Sequence, residues 1–169
     1  MAKITILGSG GWGMALAIAA FNNRNDVTLW SPFKEEVELL LEKRTNEKLL
    51  RGVVLPVGIK ITSDLSVVEG DTLTIIATPS TVVRSVAREL SQYKSIGIVV
   101  NVSKGFEADS LKFLSDVIKE EIPGATVVAL SGPSHAEEVA RNIPTSIVAA
   151  SLSLPAAQVV QDIMTGEAL

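Results

Sequence analysis

The chain opens with the stretch Lys3-Ile4-Thr5-Ile6-Leu7-Gly8-Ser9-Gly10-Gly11-Trp12-Gly13-Met14-Ala15-Leu16-Ala17, an apolar strand pattern that runs through a glycine turn into an alanine-rich helix pattern. Residues 8–13 match G-x-G-x-x-G. In this context Gly8 allows a tight turn, Gly10 lets the backbone approach a pyrophosphate, and Gly13 permits close packing of helix on strand. The start of the helix adds unpaired N–H donors. The stretch therefore predicts a dinucleotide-binding unit rather than a tight turn without a ligand.

Strand and helix patterns alternate along the rest of the chain. Most of the strand patterns are continuous apolar runs, which is typical of strands covered on both faces. The predicted strands are Ile4–Leu7, Val27–Trp30, Leu73–Ala77, Ile96–Val102, Thr126–Leu130 and Ser146–Ala150. The predicted helices are Gly11–Asn22, Lys34–Lys43, Ser80–Gln92, Asp109–Glu121, Ser134–Arg141 and Pro155–Met164.

This alternation indicates right-handed βαβ units in a single α/β domain over residues 1–169. We expect a Rossmann-type, doubly wound fold with a mainly parallel sheet. Residues 45–62 begin with polar residues and contain Gly52, Pro56 and Gly58, so a loop is predicted there.

The composition excludes several classes of function. The 169 residues carry 15 Lys plus Arg against 19 Asp plus Glu, a net charge of −4, so no general attraction for nucleic acid or anionic membrane is expected. The absence of cysteine excludes disulfides and thiolate metal sites, and a single histidine, His135, excludes a multi-histidine site, so no metal is expected. The longest apolar runs, 14–21 and 96–100, are shorter than the ~20 residues of a spanning helix, and no export signal begins the chain. A soluble cytoplasmic domain is therefore expected.

The residues after the second strand bear on the choice between NAD and NADP. An acidic residue about 20 positions after the glycine loop would accept the adenosine ribose hydroxyls and favour NAD. The second strand is instead followed by Ser31-Pro32-Phe33-Lys34, and the first carboxylate is Glu35. Lys34 is a candidate cofactor residue that would pair with a 2′-phosphate, or else a solvated lysine in the first turn of a helix. Both NAD and NADP stay open.

Polar residues follow three of the later strands, at 78–80, 103–105 and 131–134, where ligands of open α/β sheets bind. Lys104 follows an apolar strand and precedes Gly105, so its ammonium group is expected in the cleft, to hold a substrate oxygen or phosphate; the alternative is an exposed loop lysine. Ser134 is predicted to be a helix N-cap, with Glu137 three residues later completing a capping box.

Three further residues have expected roles. His135 has no carboxylate neighbour in register and is predicted to be a partly exposed residue at a helix start rather than a catalytic acid. Arg84 lies within a predicted helix and is expected to form a structural ion pair. Trp12 would either cover the cofactor or pack on the helix that follows it.

Five blocks of the sequence carry a resemblance to a known family, in the order in which that family has them. They are residues 8–17, 27–30, 77–80 with Arg84, 103–107, and 131–140 with Pro144-Thr145. In these blocks the chain resembles the bacterial NAD(P)-dependent glycerol-3-phosphate dehydrogenases over essentially its whole length. The resemblance implies that Gly11, Trp12 and Ala136 contact the cofactor. It further implies that Lys104 touches both cofactor and substrate, with Gly132 and Ser134 on the substrate side.

The implied reaction is reversible hydride transfer between NAD(P)H and dihydroxyacetone phosphate, which gives sn-glycerol 3-phosphate for phospholipid synthesis. In that family a second, helical domain supplies the lysine regarded as the proton acceptor. Nothing in this sequence corresponds to it, so the chain is expected to be an N-terminal NAD(P)-binding domain with little activity of its own and no catalytic residue. The sequence departs from the family at Ser9, where alanine is frequent, and at Ser31-Pro32, where arginine or histidine is usual.

Two alternatives remain. Another two-domain dehydrogenase, such as a ketopantoate reductase or a hydroxyacid dehydrogenase, would share the N-terminal module, although blocks 103–107 and 131–139 argue against it. A free-standing dinucleotide-binding regulatory module would have another protein as its partner. Apolar surface exposed by a missing domain would also favour self-association, so a homo-oligomer is a further expectation.

Overall fold

The computed structural model describes residues 1–167 and 169 and contains a seven-stranded sheet of order β3-β2-β1-β4-β5-β6-β7. The strands are β1 (Lys3–Leu7), β2 (Asp26–Trp30), β3 (Lys60–Thr62), β4 (Leu73–Ile76), β5 (Ile98–Asn101), β6 (Val127–Ser131) and β7 (Val148–Ala150). Neighbouring strands are parallel except β7, which runs antiparallel to β6. The predicted Rossmann-type fold with a mainly parallel sheet is confirmed.

Helices cover both faces of the sheet. They are α1 (Gly11–Asn22), α2 (Lys34–Lys43), α3 (Val83–Leu90), α4 (Leu114–Glu121), α5 (Ala136–Ala140) and α6 (Leu154–Met164), with short 3-10 helices at Leu65–Val68 and Ser80–Val82. One apolar core contains α1, α5 and α6, and the other contains α3 and α4. Within the described part of the chain, no helix is both long and apolar enough to cross a membrane.

The alanine-rich α1 lies at the centre of the first core. Every residue from Gly13 to Ala20 in it is buried. Small side chains allow this helix to lie close to the sheet and to α5 at the same time. Because it is thereby buried on several sides, its pattern is apolar all round instead of amphipathic. The helix that begins at the glycine loop is therefore fixed on several sides.

The strand order places a crevice at the carboxyl ends of β1 and β4. The chain adds β2 and β3 on one side of β1 and then returns to add β4, β5 and β6 on the other side. At such a reversal the two crossovers leave in opposite directions, and a gap opens between them. The loops that follow these strands therefore face one another across the gap.

Several predicted boundaries differ from the structure, and two of them misassign a segment. The last three residues of the predicted loop 45–62 form β3, where Ile61 pairs with Leu29 of β2. A three-residue strand with a single buried apolar side chain has no periodic signal in the sequence. The helix predicted from Asp109 begins instead at Leu114, because Leu111 has a φ of 56° and Phe106 pairs with Phe113 in an antiparallel bridge.

Candidate functional site

Three glycines of the loop, Gly8, Gly11 and Gly13, are required by the approach of backbone to backbone; a β-carbon at Gly11 would lie 2.5 Å from the carbonyl oxygen of Leu49. Gly8 has a φ of 121°, and a β-carbon there would lie 2.6 Å from the carbonyl oxygen of Ala77. A β-carbon at Gly13 would lie 1.9 Å from the carbonyl oxygen of Gly8. Each distance is shorter than any real contact, so Gly8 and Gly13 position the start of α1 against β1 and β4.

Gly10 differs from the other three glycines of the loop because the space beside it is open. It is the N-cap of α1, and a β-carbon there would meet nothing within 4 Å. Among the described residues no side chain caps this helix, and the first-turn N–H groups of any helix have no acceptor within it. The start of α1 thus presents backbone donors and a positive dipole end to an open space, which suits an anion such as a pyrophosphate.

A cavity of about 350 Å³ adjoins the loop at the crevice between β1 and β4. Gly10, Gly11 and Trp12 form one wall of it. Lys104 and Ser134 line it from the ends of β5 and β6. The structure therefore brings predicted cofactor and substrate residues from three separate loops to a single cavity.

The other predicted residues lie outside the lining of that cavity. Ala136 begins α5, and its β-carbon is 3.8 Å from the position that a β-carbon on Gly11 would take. Gly132 packs on the chain before β7, since a β-carbon there would lie 2.7 Å from the carbonyl oxygen of Ser146. Lys34 is the first residue of α2 and is exposed.

The predicted capping box at Ser134 is wrong. The N-cap of α5 is His135, one residue later, and within the described part of the chain no side-chain hydrogen bond caps this helix. The hydroxyl of Ser134 donates instead to the carbonyl oxygen of Gly132 at 3.3 Å, in a side chain that is buried at the cavity. His135 is exposed at the helix start, as predicted.

Arg84 forms the structural ion pairs that its position in a helix predicted. Its Nε lies 2.6 Å from Oε1 of Glu107 and its second terminal nitrogen lies 2.8 Å from Oε2, while its first reaches Glu121 at 2.8 Å. The hydrogen bonds from Arg84, with a further one from Ser110, lower the pKa of Glu107 to about 2. This cluster holds the chain that follows Lys104 against α3 and α4.

Sequence reasoning placed Thr78 at a strand end but gave it no role in the site. Its Oγ1 is buried and has no hydrogen-bond partner among the described residues, and the residue lines the cavity. A buried hydroxyl without a partner costs free energy unless a ligand or water satisfies it. A threonine just beyond the last residue of a central strand is the sequence signal that points to this position.

Comparison with known proteins accounts for this arrangement. A model of the NAD-dependent glycerol-3-phosphate dehydrogenase N-terminus matches residues 3–157. The chain therefore belongs to this family. It is 39% identical to a glycerol-3-phosphate dehydrogenase [NAD(P)+] of Agathobacter rectalis over 169 residues, which covers 99% of this chain and 50% of that protein. A protein of the same name from Fusobacterium nucleatum is 45% identical over 152 residues and covers 88% of this chain and 45% of its own length.

A solved structure agrees with the sequence relatives. The crystal structure of a glycerol-3-phosphate dehydrogenase from Coxiella burnetii superposes with a TM-score of 0.90 at 29% identity, over 98% of this chain and 51% of that one. The chain spans about half the length of the curated relatives it matches. The matching family model describes the N-terminus of an NAD-dependent glycerol-3-phosphate dehydrogenase.

The residues present in this glycerol-3-phosphate dehydrogenase family member fit a dinucleotide. Open space at Gly10 leaves room for a pyrophosphate beside the backbone donors of α1. The partnerless Thr78 hydroxyl offers a polar group inside the cavity, and Lys104 offers a positive charge. The family's cofactor class, NAD or NADP, is thus compatible with the geometry.

Proposed function

We propose that residues 1–169 are the cofactor-binding domain of an NAD(P)-dependent glycerol-3-phosphate dehydrogenase that interconverts dihydroxyacetone phosphate and sn-glycerol 3-phosphate. The observation that carries this proposal is the cavity between β1 and β4, which has the glycine loop on one wall and Lys104 on the other. A phosphate-binding backbone and an ammonium group facing one space suit a nicotinamide cofactor next to a phosphorylated substrate.

Each residue has a definite part in this proposal. Gly8 and Gly13 shape the loop, and Gly10, Gly11, Trp12 and Ala136 surround the cofactor, with Lys34 at the adenosine side. Lys104 contacts the cofactor and attracts the substrate, while Gly132 and Ser134 lie toward the substrate. A bound nicotinamide supplies the hydride chemistry, and the protein supplies orientation and charge. The proton acceptor is proposed to come from a second, helical domain.

The wider role belongs to the same proposal. The product sn-glycerol 3-phosphate would enter phospholipid synthesis. Partners would be small molecules in the cytoplasm, with no nucleic acid or membrane among them, in keeping with the net charge of −4. A homo-oligomer is compatible with the large apolar side chains that are exposed on the surface, among them Phe106 and Phe113.

The first test is a calorimetric titration of the chain with NADH and with NADPH. We expect saturable binding of at least one of them; no binding of either would overturn the proposed function. The second step titrates dihydroxyacetone phosphate into the chain saturated with the dinucleotide. Lys104→Ala is expected to weaken the second binding step more than the first, and equal loss in both would contradict its substrate role.

Lys94→Ala is the matched control for that variant. Lys94 is an exposed lysine that precedes β5, at the opposite edge of the sheet from the cavity. The Lys94→Ala substitution removes the same charge as Lys104→Ala without affecting the proposed site. Both binding steps should stay at the wild-type level in this variant.

A further inference from the structure

A carboxylate that sequence reasoning overlooked joins the ends of β1 and β2. The hydroxyl of Ser9, in the glycine loop, donates to Oε2 of Glu36 at 2.6 Å. The hydroxyl of Ser31, just after β2, donates to the same oxygen at 2.5 Å. Because Leu7 of β1 pairs with Trp30 of β2, the two loops leave the sheet side by side. Glu36, in the first turn of α2, therefore bridges the two loops that follow β1 and β2.

This carboxylate is held in place, but only one of its two oxygens accepts hydrogen bonds from the described residues. Ser9 and Ser31 are only 4% and 1% exposed, so both hydroxyls are held by the surrounding structure. Glu36 itself is half-buried. Both serines donate to Oε2, and Oε1 of Glu36 accepts no hydrogen bond from the residues that the structure describes. The site thus offers one oriented carboxylate oxygen, without a hydrogen-bond partner among the described residues, at the edge of the glycine loop.

The direction of a bound dinucleotide follows from the two sides of that loop. Gly10 marks the place for the pyrophosphate, and the cavity with Lys104 lies on the β4 and β5 side. If the reacting end occupies that cavity, the adenosine half must extend the other way, over the ends of β1 and β2. Glu36 is the carboxylate that the serines Ser9 and Ser31 hold there.

We propose that Glu36 accepts the ribose hydroxyls of the adenosine half and thereby selects NAD(H) against NADP(H). This inference rests on the proposed function, because it assumes that the loop binds a dinucleotide. A carboxylate oxygen is an acceptor that suits the 2′- and 3′-hydroxyls of NAD(H). The 2′-phosphate of NADP(H) would instead bring like charges together at short range, which is unfavourable in a half-buried position.

Lys34 also lies at the adenosine side, but on a different side of α2 from Glu36. Residues two apart on a helix point to different sides, so Lys34 and Glu36 cannot both face the same crevice from α2. Lys34 is exposed, whereas Glu36 is held inward by the two serines. The side of α2 that faces the ribose position is therefore acidic.

The test compares four ligands on four forms of the chain by calorimetry. The ligands are NADH, NADPH, ADP-ribose and its 2′-phosphate, the last two of which read the adenosine half alone. Wild type should bind NADH at least about tenfold more tightly than NADPH. Glu36→Gln should lose about tenfold or more in affinity for NADH and ADP-ribose. Its affinity for the two ligands with a 2′-phosphate should not fall, so the preference for NADH over NADPH should disappear.

Two variants of neighbouring residues complete the series. Glu35→Gln removes the same charge from an exposed neighbour in the same turn and should keep the wild-type preference. Ser31→Ala keeps the charge of Glu36 but removes one of its donors, so NADH binding should weaken by about threefold while NADPH stays disfavoured. Ser31→Ala also tests the idea if Glu36→Gln does not fold, as monitored by thermal denaturation.

Three outcomes would overturn the inference. Equal affinity of wild type for NADH and NADPH would show that Glu36 does not discriminate. An equal loss of all four ligands in Glu36→Gln, together with a lower Tm, would show that Glu36 only clamps α2 to the glycine loop. Failure of wild type to bind any dinucleotide would overturn the proposed function itself, and is thereby distinct from the first two results.

Discussion

The two loops that wall the cavity are held by different forces. The glycine loop, residues 8–13, is fixed by backbone packing: Gly8 and Gly13 leave no room for a β-carbon, and the N–H of Gly8 donates to the carbonyl oxygen of Trp30 at 2.9 Å. The Lys104 loop, residues 103–113, is largely exposed and is tied down by charged side chains, with Glu107 bound to Arg84 through two hydrogen bonds.

The difference indicates what each loop tolerates. Steric fit between backbone atoms does not depend on pH or salt, but it fails if one methyl group is added. Ion pairs close to the surface accept many substitutions, yet they weaken with ionic strength and with acid. We therefore expect the cofactor side of the cavity to be rigid and the Lys104 side to be adjustable.

The largest effect should come from Gly13→Ala. The new methyl group would lie 1.9 Å from the carbonyl oxygen of Gly8, and neither backbone can move without displacing α1 from the core. The free energy of unfolding should fall by about 3 kcal/mol or more, as chemical denaturation would measure. Wild-type stability in this variant would show that the glycine loop is adjustable after all.

Gly10→Ala is the matched control in the same loop. Its φ of −66° suits alanine and its β-carbon meets nothing within 4 Å, so stability should change by no more than about 0.5 kcal/mol. The methyl group would nevertheless occupy the space proposed for the pyrophosphate, and dinucleotide affinity should fall by about tenfold or more. Unchanged affinity in a titration would place the pyrophosphate elsewhere.

Arg84→Met tests the other loop. It removes the hydrogen bonds to Glu107, Glu120 and Glu121 while it keeps a long apolar side chain. We expect Tm to fall by roughly 2 to 4 °C. Hydrogen exchange should speed up in peptides from residues 103–113 and stay unchanged in residues 8–13.

Arg84→Lys separates charge from geometry in that experiment. Lysine keeps the positive charge but cannot make the two parallel hydrogen bonds to Glu107. Its exchange rates should lie between those of wild type and Arg84→Met. Faster exchange in both loops alike would mean that the two are not held independently.

The smallest effect should be the response to pH. Arg84 lowers the pKa of Glu107 from 4.5 to about 2, so the pair stabilises the folded state above pH 4.5 and loses this contribution as the pH falls toward 2. The Tm difference between wild type and Glu107→Gln should thus be present at neutral pH and shrink over that window. A difference that grows on acidification would contradict the assignment.

Asp71 should oppose this trend. Burial raises its pKa above 3.8, although hydrogen bonds from Thr5 and Lys3 act in the other direction. A raised carboxyl pKa favours folding at low pH, and this contribution is lost as the pH rises through 3.8 and then through the folded-state value. Asp71→Asn should accordingly make the acid loss of stability of the chain steeper, which the same Tm series would measure.

The extent to which the sequence predicted the site differs between these regions. Residues 3–17 predicted the first strand, the turn and α1 because a local pattern of apolar residues and glycines has few other solutions. Thr78 and Glu36 could not be assigned from the sequence in this way. One depends on which hydroxyls stay unpaired after folding, and the other on two serines that meet it from separate loops.

Some features of this protein thus follow from its sequence pattern, and others from contacts made only in the folded chain. The α/β class, the glycine turn, the strand ends that carry Lys104 and Ser134, and the family could all be inferred from the sequence, because each rests on the pattern and order of residues along the chain. The folded chain was needed to show that His135 rather than Ser134 begins α5, that residues 60–62 join the sheet, and that Ser9 and Ser31 converge on Glu36. Those outcomes depend on hydrogen bonds and packing between segments far apart in sequence, whose relative positions exist only once the sheet has formed.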